Sequence, residues 1–299
     1  MRLQYRKPEI FIIGYFFYLA ALTLVLRDRP RADIRVLGIA VAIAVVITAL
    51  AWTQYKFKAD APAIVRDWAI LGFVLACYRT LDLFSPVTYQ VSLETVWQHM
   101  DHALLSGWQL RAAIEHWGAG IPAYLETCYL LTSGAGCYGL IILYAYRKRE
   151  RSDRFLLIYV MGTLLSYALV PILRLQPPRV AFPGADVPEI STAIRRLNLL
   201  VLSGAGIHSG VFPSAHVSST FAAAWGMFVA MPERKRYGWL FLIYAISVAV
   251  ATIYGRYHYA LDAAAGIVVS VIAVLAAKQW LAKGVHPIAI ERPAARSTR

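Results

Sequence analysis

The chain has 299 residues, 59% hydrophobic and only 16% charged, with a mean hydropathy of +0.54. Soluble domains carry roughly 25% charged residues, so this composition excludes an ordinary soluble protein and points to the membrane. The net charge of +13 predicts basic cytoplasmic loops and contact with anionic lipid headgroups. It argues against nucleic acid as a partner, because the basic residues lie between long apolar runs and form no separate basic domain.

The chain opens with MRLQYRKPEI and then a long apolar run, which has the outline of a signal peptide. The next stretch, RDRPRADIR, offers no small-residue cleavage site, so the run reads as a retained first span. A bilayer core takes about 20 apolar residues per helix. By that measure eight spans are predicted, near residues 10–26, 34–52, 63–84, 119–146, 154–173, 213–231, 237–256 and 258–281. The fold class is therefore all-α, a polytopic transmembrane helix bundle. Cys77, Cys128 and Cys137 all lie inside apolar runs; an odd number with no C-x-x-C indicates neither a disulfide framework nor a zinc site.

The lysine and arginine bias sets orientation. Loops 147–154 and 232–238 and the C-terminal tail are basic and are assigned to the cytoplasm. Segments 85–118 and 174–212, and the short turn at 255–257, then face outward. Arg27, Arg29, Arg31 and Arg35 run against this scheme if Met1 is inside. Either the first two spans form a re-entrant pair, or the later basic loops overrule them. Segment 85–118 carries Trp97, His99, Asp101, His102, Trp108, His116 and Trp117, which suits a helix at headgroup level. Segment 174–212 is too long for a plain connection and is expected to be functional.

Ionisable residues at membrane depth are costly and mark functional positions. Here they gather at the outer ends of the last four spans. In GRYHYALD, His258 and Asp262 are four apart and share one face of a helix. The pair is either an ordinary interfacial contact or a carboxylate that fixes an imidazole tautomer, leaving the other nitrogen as nucleophile or base. In FPSAHVSS, Pro213 suits a first helical turn, whose free N–H groups attract anions. Ser214 supplies a hydroxyl and His216 a proton for a leaving oxygen; a simple cap with an incidental histidine is the bland reading. In RLQPPRVAF, Arg174 and Arg179 flank two stiffening prolines and suit bidentate phosphate binding, or snorkel to lipid phosphate. Together the three segments supply what phosphoryl transfer through a histidine needs: a cationic cradle, an oriented nucleophile and a leaving-group acid.

The order of an arginine motif, P-S-x-H and H-x-x-x-D resembles the type 2 phosphatidic acid phosphatase superfamily of membrane lipid phosphatases and phosphotransferases. The resemblance covers roughly residues 63–281. It implies a six-helix phosphatase-like core plus about two extra N-terminal spans. Residues 1–58 would form the extra segment, 59–283 the core and 284–299 a basic cytoplasmic tail. The family pattern maps the nucleophile to His258, its carboxylate partner to Asp262 and the general acid to His216. It maps phosphate binding to Ser214 and Arg179, and it requires no metal or other cofactor. Two departures stand out. The first motif reads R-x-x-P-P-R, with no earlier lysine. In the third motif Thr252 stands where an arginine is usual, and Arg256, two residues before His258, is the nearest substitute. F-P-S-x-H-V, an arginine close before H-Y-x-x-D, and the stretch DHALLSG from Asp101, similar to the branch's D-x-x-L-x-G, look closest to the inositol phosphoceramide synthase-like, or inositolphosphotransferase, branch. The implied activity is hydrolysis or headgroup transfer on a phospholipid or isoprenoid phosphate at the non-cytoplasmic face.

Two other readings start from the same residues. His216, His258 and Asp262 would serve a membrane transporter as a relay if they lay near mid-bilayer on broken helices. His99, Asp101, His102 and His116 would form a metal site, though their spacing matches no strong ligand pattern. Asn198 and His208, in the long outer loop, are positioned to meet a headgroup, and His286 in the tail has no expected role.

Overall fold

The structure, a computed structural model, describes residues 3–26, 28–29, 31–57 and 60–283. The tail 284–299 with His286, and Arg27, lie outside the described residues. In chain order the helices are α1 (Lys7–Val25), α2 (Ile34–Phe57), α3 (Asp60–Leu81), α4 (Val91–His102), α5 (Leu110–Glu115), α6 (Gly120–Leu130) and α7 (Ala135–Ala145). The chain continues through α8 (Ser152–Leu169), α9 (Pro178–Ala181), α10 (Ala193–Ala205), α11 (Ala215–Ala230), α12 (Lys235–Tyr254) and α13 (Ala260–Ala282). No strand occurs among the described residues. Helices α1, α2, α3, α12 and α13 are each long and apolar enough to cross a membrane, and α6 with α7 makes a bent sixth.

The axis of the bundle is α8 with α11. Every residue of α8 from Phe155 to Leu164 is buried, as befits a helix that is apolar all round. It packs against α1, α3, α11 and α13, while α11 also packs against α12 and α13. Gly162 allows the closest approach: a Cβ there would lie 2.3 Å from that of Ala222 on α11. With 16 residues, α11 rises about 24 Å, short of the roughly 30 Å hydrocarbon core. Its neighbours shield it from lipid, so it need not span the full thickness.

Three expectations shift. The span expected over 119–146 is broken, with α6 and α7 meeting at 44°. Its centre reads TSGAG, poor in helix propensity, and Thr132 Oγ1 donates to the Tyr129 carbonyl at 2.8 Å. The last span starts at Ala260, so His258 lies in the turn before α13 and not on the helix with Asp262. Segment 85–118 contains the helix α4, which is turned polar side in. Glu94, Gln98 and Asp101 are buried, while Val91, Val96 and Met100 are exposed. The same inversion holds for α10, which buries Arg195 and Asn198 and exposes Leu197, Leu200 and Val201. An apolar outer face against lipid, with polar groups turned to protein, is what a membrane surround favours.

The N-terminal pair runs the full length of the bundle. At one end Arg66 of α3 grips Glu9 of α1 through two hydrogen bonds of 2.8 and 2.5 Å. Arg6 pairs with Asp67, and Lys7 Nζ reaches the Trp280 carbonyl at the end of α13, 2.5 Å away. At the other end Arg29 donates to the Pro171 carbonyl just past α8, at 2.8 Å. The α1–α2 connection therefore lies at the opposite end from the N-terminus, and the re-entrant alternative does not describe this pair.

Arg66 and Glu9 are 4% and 2% exposed. Removing one partner strands a buried charge, which costs about 3–5 kcal/mol. Glu9→Ala should therefore lower the thermal unfolding midpoint of the detergent-solubilised protein markedly. An unchanged melting curve would mean that the pair does not hold α1 to the core.

Candidate phosphoryl-transfer site

The end of the bundle where α8 stops and α11 and α13 start holds a cavity of about 320 Å³. Its lining includes His216, His258 and Arg179 and, along α3, the apolar side chains Leu71, Val74 and Leu75. Along α3 the lining continues to Arg79, so this wall spans about 12 Å at 1.5 Å per residue. A charged head and an apolar body fit side by side in such a space.

Backbone contacts bring the two histidines together. Ser214 N–H donates to the Asp262 carbonyl at 3.0 Å, tying the start of α11 to the start of α13. Gly266 makes this possible, since a Cβ there would meet the Ser214 carbonyl oxygen at 2.6 Å. His258 is aimed by the turn before it, where Tyr257 N–H and His258 N–H both donate to the Thr252 carbonyl at 2.9 and 3.1 Å. Asp262 Oδ2 then accepts from Tyr259 N–H at 3.0 Å and lies 3.3 Å from His258 Nδ1. A carboxylate can only accept from that nitrogen, so Nδ1 carries the proton and Nε2 keeps its lone pair. His216 Nδ1 stands 3.3 Å from this Nε2, and its ring lies 5.0 Å from that of Tyr129.

Arg179 enters from α9, a single turn that begins at Pro178. Its N–H donates to the Arg256 carbonyl at 3.1 Å, which ties the first motif to the third. The guanidinium lies 5.6 Å from the centre of the Tyr257 ring and has no carboxylate partner among the described residues, so its charge is available to the cavity.

The remaining sequence-derived candidates fall elsewhere. Ser214 is fully buried and acts as the N-cap of α11, accepting from Val217 N–H at 3.4 Å; it does not line the cavity. Arg256 is also fully buried. It is held by Asp101 at 2.6 Å and by Gln98, and it does not line the cavity. Arg174 pairs with Asp28 at 3.2 Å, beside the α1–α2 connection and outside the cavity lining. Asn198 lines the cavity, whereas His208 pairs with Asp82 at 3.2 Å. The four candidate metal ligands do not assemble. Asp101 serves Arg256, His102 meets Asp186 and the His116 ring packs on Trp117; no metal-binding cluster occurs among the described residues.

Sequence reading passed over a polar network behind the cavity. Glu126, 1% exposed, accepts from Arg195 at 2.9 Å, Asn198 at 2.7 Å and Tyr257 at 2.6 Å. Tyr257 stacks on Tyr129 with ring centres 3.9 Å apart. The signal was present: Glu126 is an acid inside an apolar run, the pattern that marks function at membrane depth. Arg79 was also missed; it lines the cavity and bonds the Ala205 carbonyl at 3.0 Å.

Two histidines, one oriented by a carboxylate, with an uncompensated arginine in the same cavity, are the parts expected of phosphoryl transfer through histidine. Comparison with known families gives a match to the PAP2 superfamily over residues 98–276, more than half of the chain. The chain belongs to the PAP2 superfamily. A PA-phosphatase related-family protein of Dictyostelium discoideum is 38% identical over 66 residues, which is 22% of this chain and 11% of that protein. This superfamily member therefore spans only about a tenth of the curated relative that it matches. No solved structure matches it.

His258 lies between the spans α12 and α13, and burial together with the nearby Arg179 charge pushes its imidazole down to about 3. The lowered value keeps the ring neutral at ordinary pH. Imidazole nitrogen NMR on ring-labelled protein should show His258 neutral from pH 8 down to pH 5. Titration of this ring near 6.5 would contradict the burial and the charge placement described here.

Proposed function

We propose that this chain is an integral-membrane lipid phosphatase or headgroup transferase that works through a phosphohistidine at His258. The reading rests above all on His258 being held between Asp262 and His216 at the wall of one cavity. Membership of the PAP2 superfamily supports it.

His258 Nε2 attacks the phosphorus of a lipid phosphate ester, and the bond from phosphorus to the leaving oxygen breaks. His216 takes up a proton as the phosphate anion binds and gives it to that oxygen, releasing the lipid alcohol. Asp262 holds the charge that develops on the His258 ring and keeps Nδ1 protonated. Arg179 stabilises the negative oxygens of the transferring group. Water, or an acceptor alcohol, then attacks phosphorus while His216 takes its proton, and the phosphorus–nitrogen bond breaks to restore His258. The apolar α3 wall suits a substrate with a hydrocarbon chain, such as a phospholipid or an isoprenoid phosphate. Ser214 and Arg256 are expected to act through the positions of α11 and the catalytic turn, since neither reaches the cavity. A transporter relay is disfavoured by the placement of the groups at helix starts beside outer loops, away from the midplane where a relay would sit.

Purified protein given mixed lipid phosphates and phospholipids, with products read by mass spectrometry, tests the reading and separates free phosphate from a transferred headgroup. His258→Ala should abolish turnover. His216→Ala and Asp262→Ala should lose about 10²- to 10⁴-fold. Undiminished turnover in His258→Ala would exclude the phosphohistidine.

The basic loops support a cavity end that faces away from the cytoplasm. A membrane-impermeant maleimide applied to intact cells that carry the protein in their surface membrane should label a cysteine at position 108, where Trp108 is 80% exposed, and spare one at position 149. The reverse pattern would invert the assigned orientation.

A further inference from the structure

Asp101 of α4 lies beneath the catalytic turn and touches it on both sides of His258. Its Oδ2 pairs with the Arg256 guanidinium at 2.6 Å, and its Oδ1 accepts from Ala260 N–H at 2.9 Å. Arg256 and Ala260 stand two residues before and two residues after His258. Both charges are buried, with Asp101 1% and Arg256 0% exposed. Arg256 sits at φ +60°, a left-handed conformation that a side chain other than glycine adopts only when its surroundings enforce it. The enforcing contacts are visible: the Asp101 pair and Gln98 hold its side chain, and Arg179 N–H holds its carbonyl at 3.1 Å. Next to Asp101, Trp97 of the same helix packs on Phe212 and Tyr259, with ring centres 5.4 and 5.7 Å away. One face of α4 thus grips residues beside both histidine-bearing motifs.

We propose that Asp101 is a positioning residue for the transfer reaction. By holding Arg256 and Ala260 at once, it fixes the turn that points His258 Nε2 into the cavity, and α4 acts as a clamp across the catalytic turn. A buried ion pair is often replaceable by apolar groups without loss of stability, so stability alone does not explain a carboxylate here. The two-sided contact does, since a nucleophile displaced by about 1 Å loses about 10²-fold in rate. Gln98 extends the clamp outward: its Nε2 donates to Asp186 at 2.9 Å, which also accepts from Ser106 Oγ at 2.7 Å. The outer segment that carries Asp186 is thereby joined to the same turn.

The proposal rests on the phosphohistidine reading, and the test separates the two. Full-length wild type, Asp101→Asn, the double variant Asp101→Leu/Arg256→Met and His258→Ala are assayed with dioleoyl phosphatidate in detergent micelles. Inhibition by vanadate, a mimic of the five-coordinate phosphoryl transition state, is measured alongside the melting temperature. The double variant removes both charges, so no uncompensated ion remains to unfold the protein. A positioning role predicts that kcat falls about 10- to 100-fold in the double variant, with KM changed less than about threefold. Vanadate inhibition should weaken in parallel, because a transition-state mimic senses the same geometry, and the acidic limb of the pH profile should move upward as the turn loosens and His258 meets water. These changes should occur with the melting temperature near that of wild type, and Asp101→Asn should fall in between because it keeps the acceptor for Ala260. Wild-type kcat and vanadate sensitivity in the folded double variant would overturn the proposal. Failure of both Asp101 variants to fold would overturn it too, since the contact would then serve only stability. Activity remaining in His258→Ala would instead defeat the phosphohistidine reading, whatever the Asp101 variants do.

Discussion

The hydrogen bond from Ser214 N–H to the Asp262 carbonyl, 3.0 Å long, joins two helix starts that are separated by a complete helical hairpin. Both α11 and α13 begin at the same level, and a histidine lies within two residues of each start. With the tie in place, His216 and His258 stand 3.3 Å apart. The direct packing of α11 on α12 and α13 holds the same two starts side by side. The tie depends on Gly266, because any side chain there would strike the Ser214 carbonyl. It depends also on α8, whose buried length gives α11 a fixed track to pack along.

Around that junction the polar groups are arranged in layers. The inner layer is the pair of histidines with Asp262 and Arg179. Behind it, Glu126 collects Arg195, Asn198 and Tyr257, and Asp101 collects Arg256 and the N–H of Ala260. Each of these two buried acids is matched by a buried arginine and by further donors, which is the condition under which charge survives away from water. The helices that help build these layers, α4 and α10, turn their polar faces inward and their apolar faces outward. In a soluble protein that orientation would be inside out. At a membrane surface it satisfies lipid and polar interior together.

Much of this was legible in the residues. The apolar runs located five of the eight expected spans to within a few positions, because twenty apolar residues have few other uses. The His258 and Asp262 spacing survived even though His258 proved to lie before the helix, since the N3 position of Asp262 faces back onto the residues that precede α13. Ser214 and Arg256 lie outside the cavity lining for a common reason: their residue types suit phosphate, but the direction of a side chain is set by what packs around it. Ser214 turned to cap its own helix, and Arg256 found a buried carboxylate that sequence distance had hidden, 155 positions away.

The sequence by itself determined that this chain lives in a membrane, that it is helical and where its paired histidines lie along the chain. Those properties follow from hydropathy and short-range spacing, which one segment can express alone. Only the tertiary structure decided which arginine faces the cavity, that the N-terminal pair forms a full-length hairpin on α8 and α3, and that Glu126 and Asp101 stand behind the two motifs. These depend on contacts between segments far apart in the chain, where burial forces every charge to find a partner and the packing selects which one.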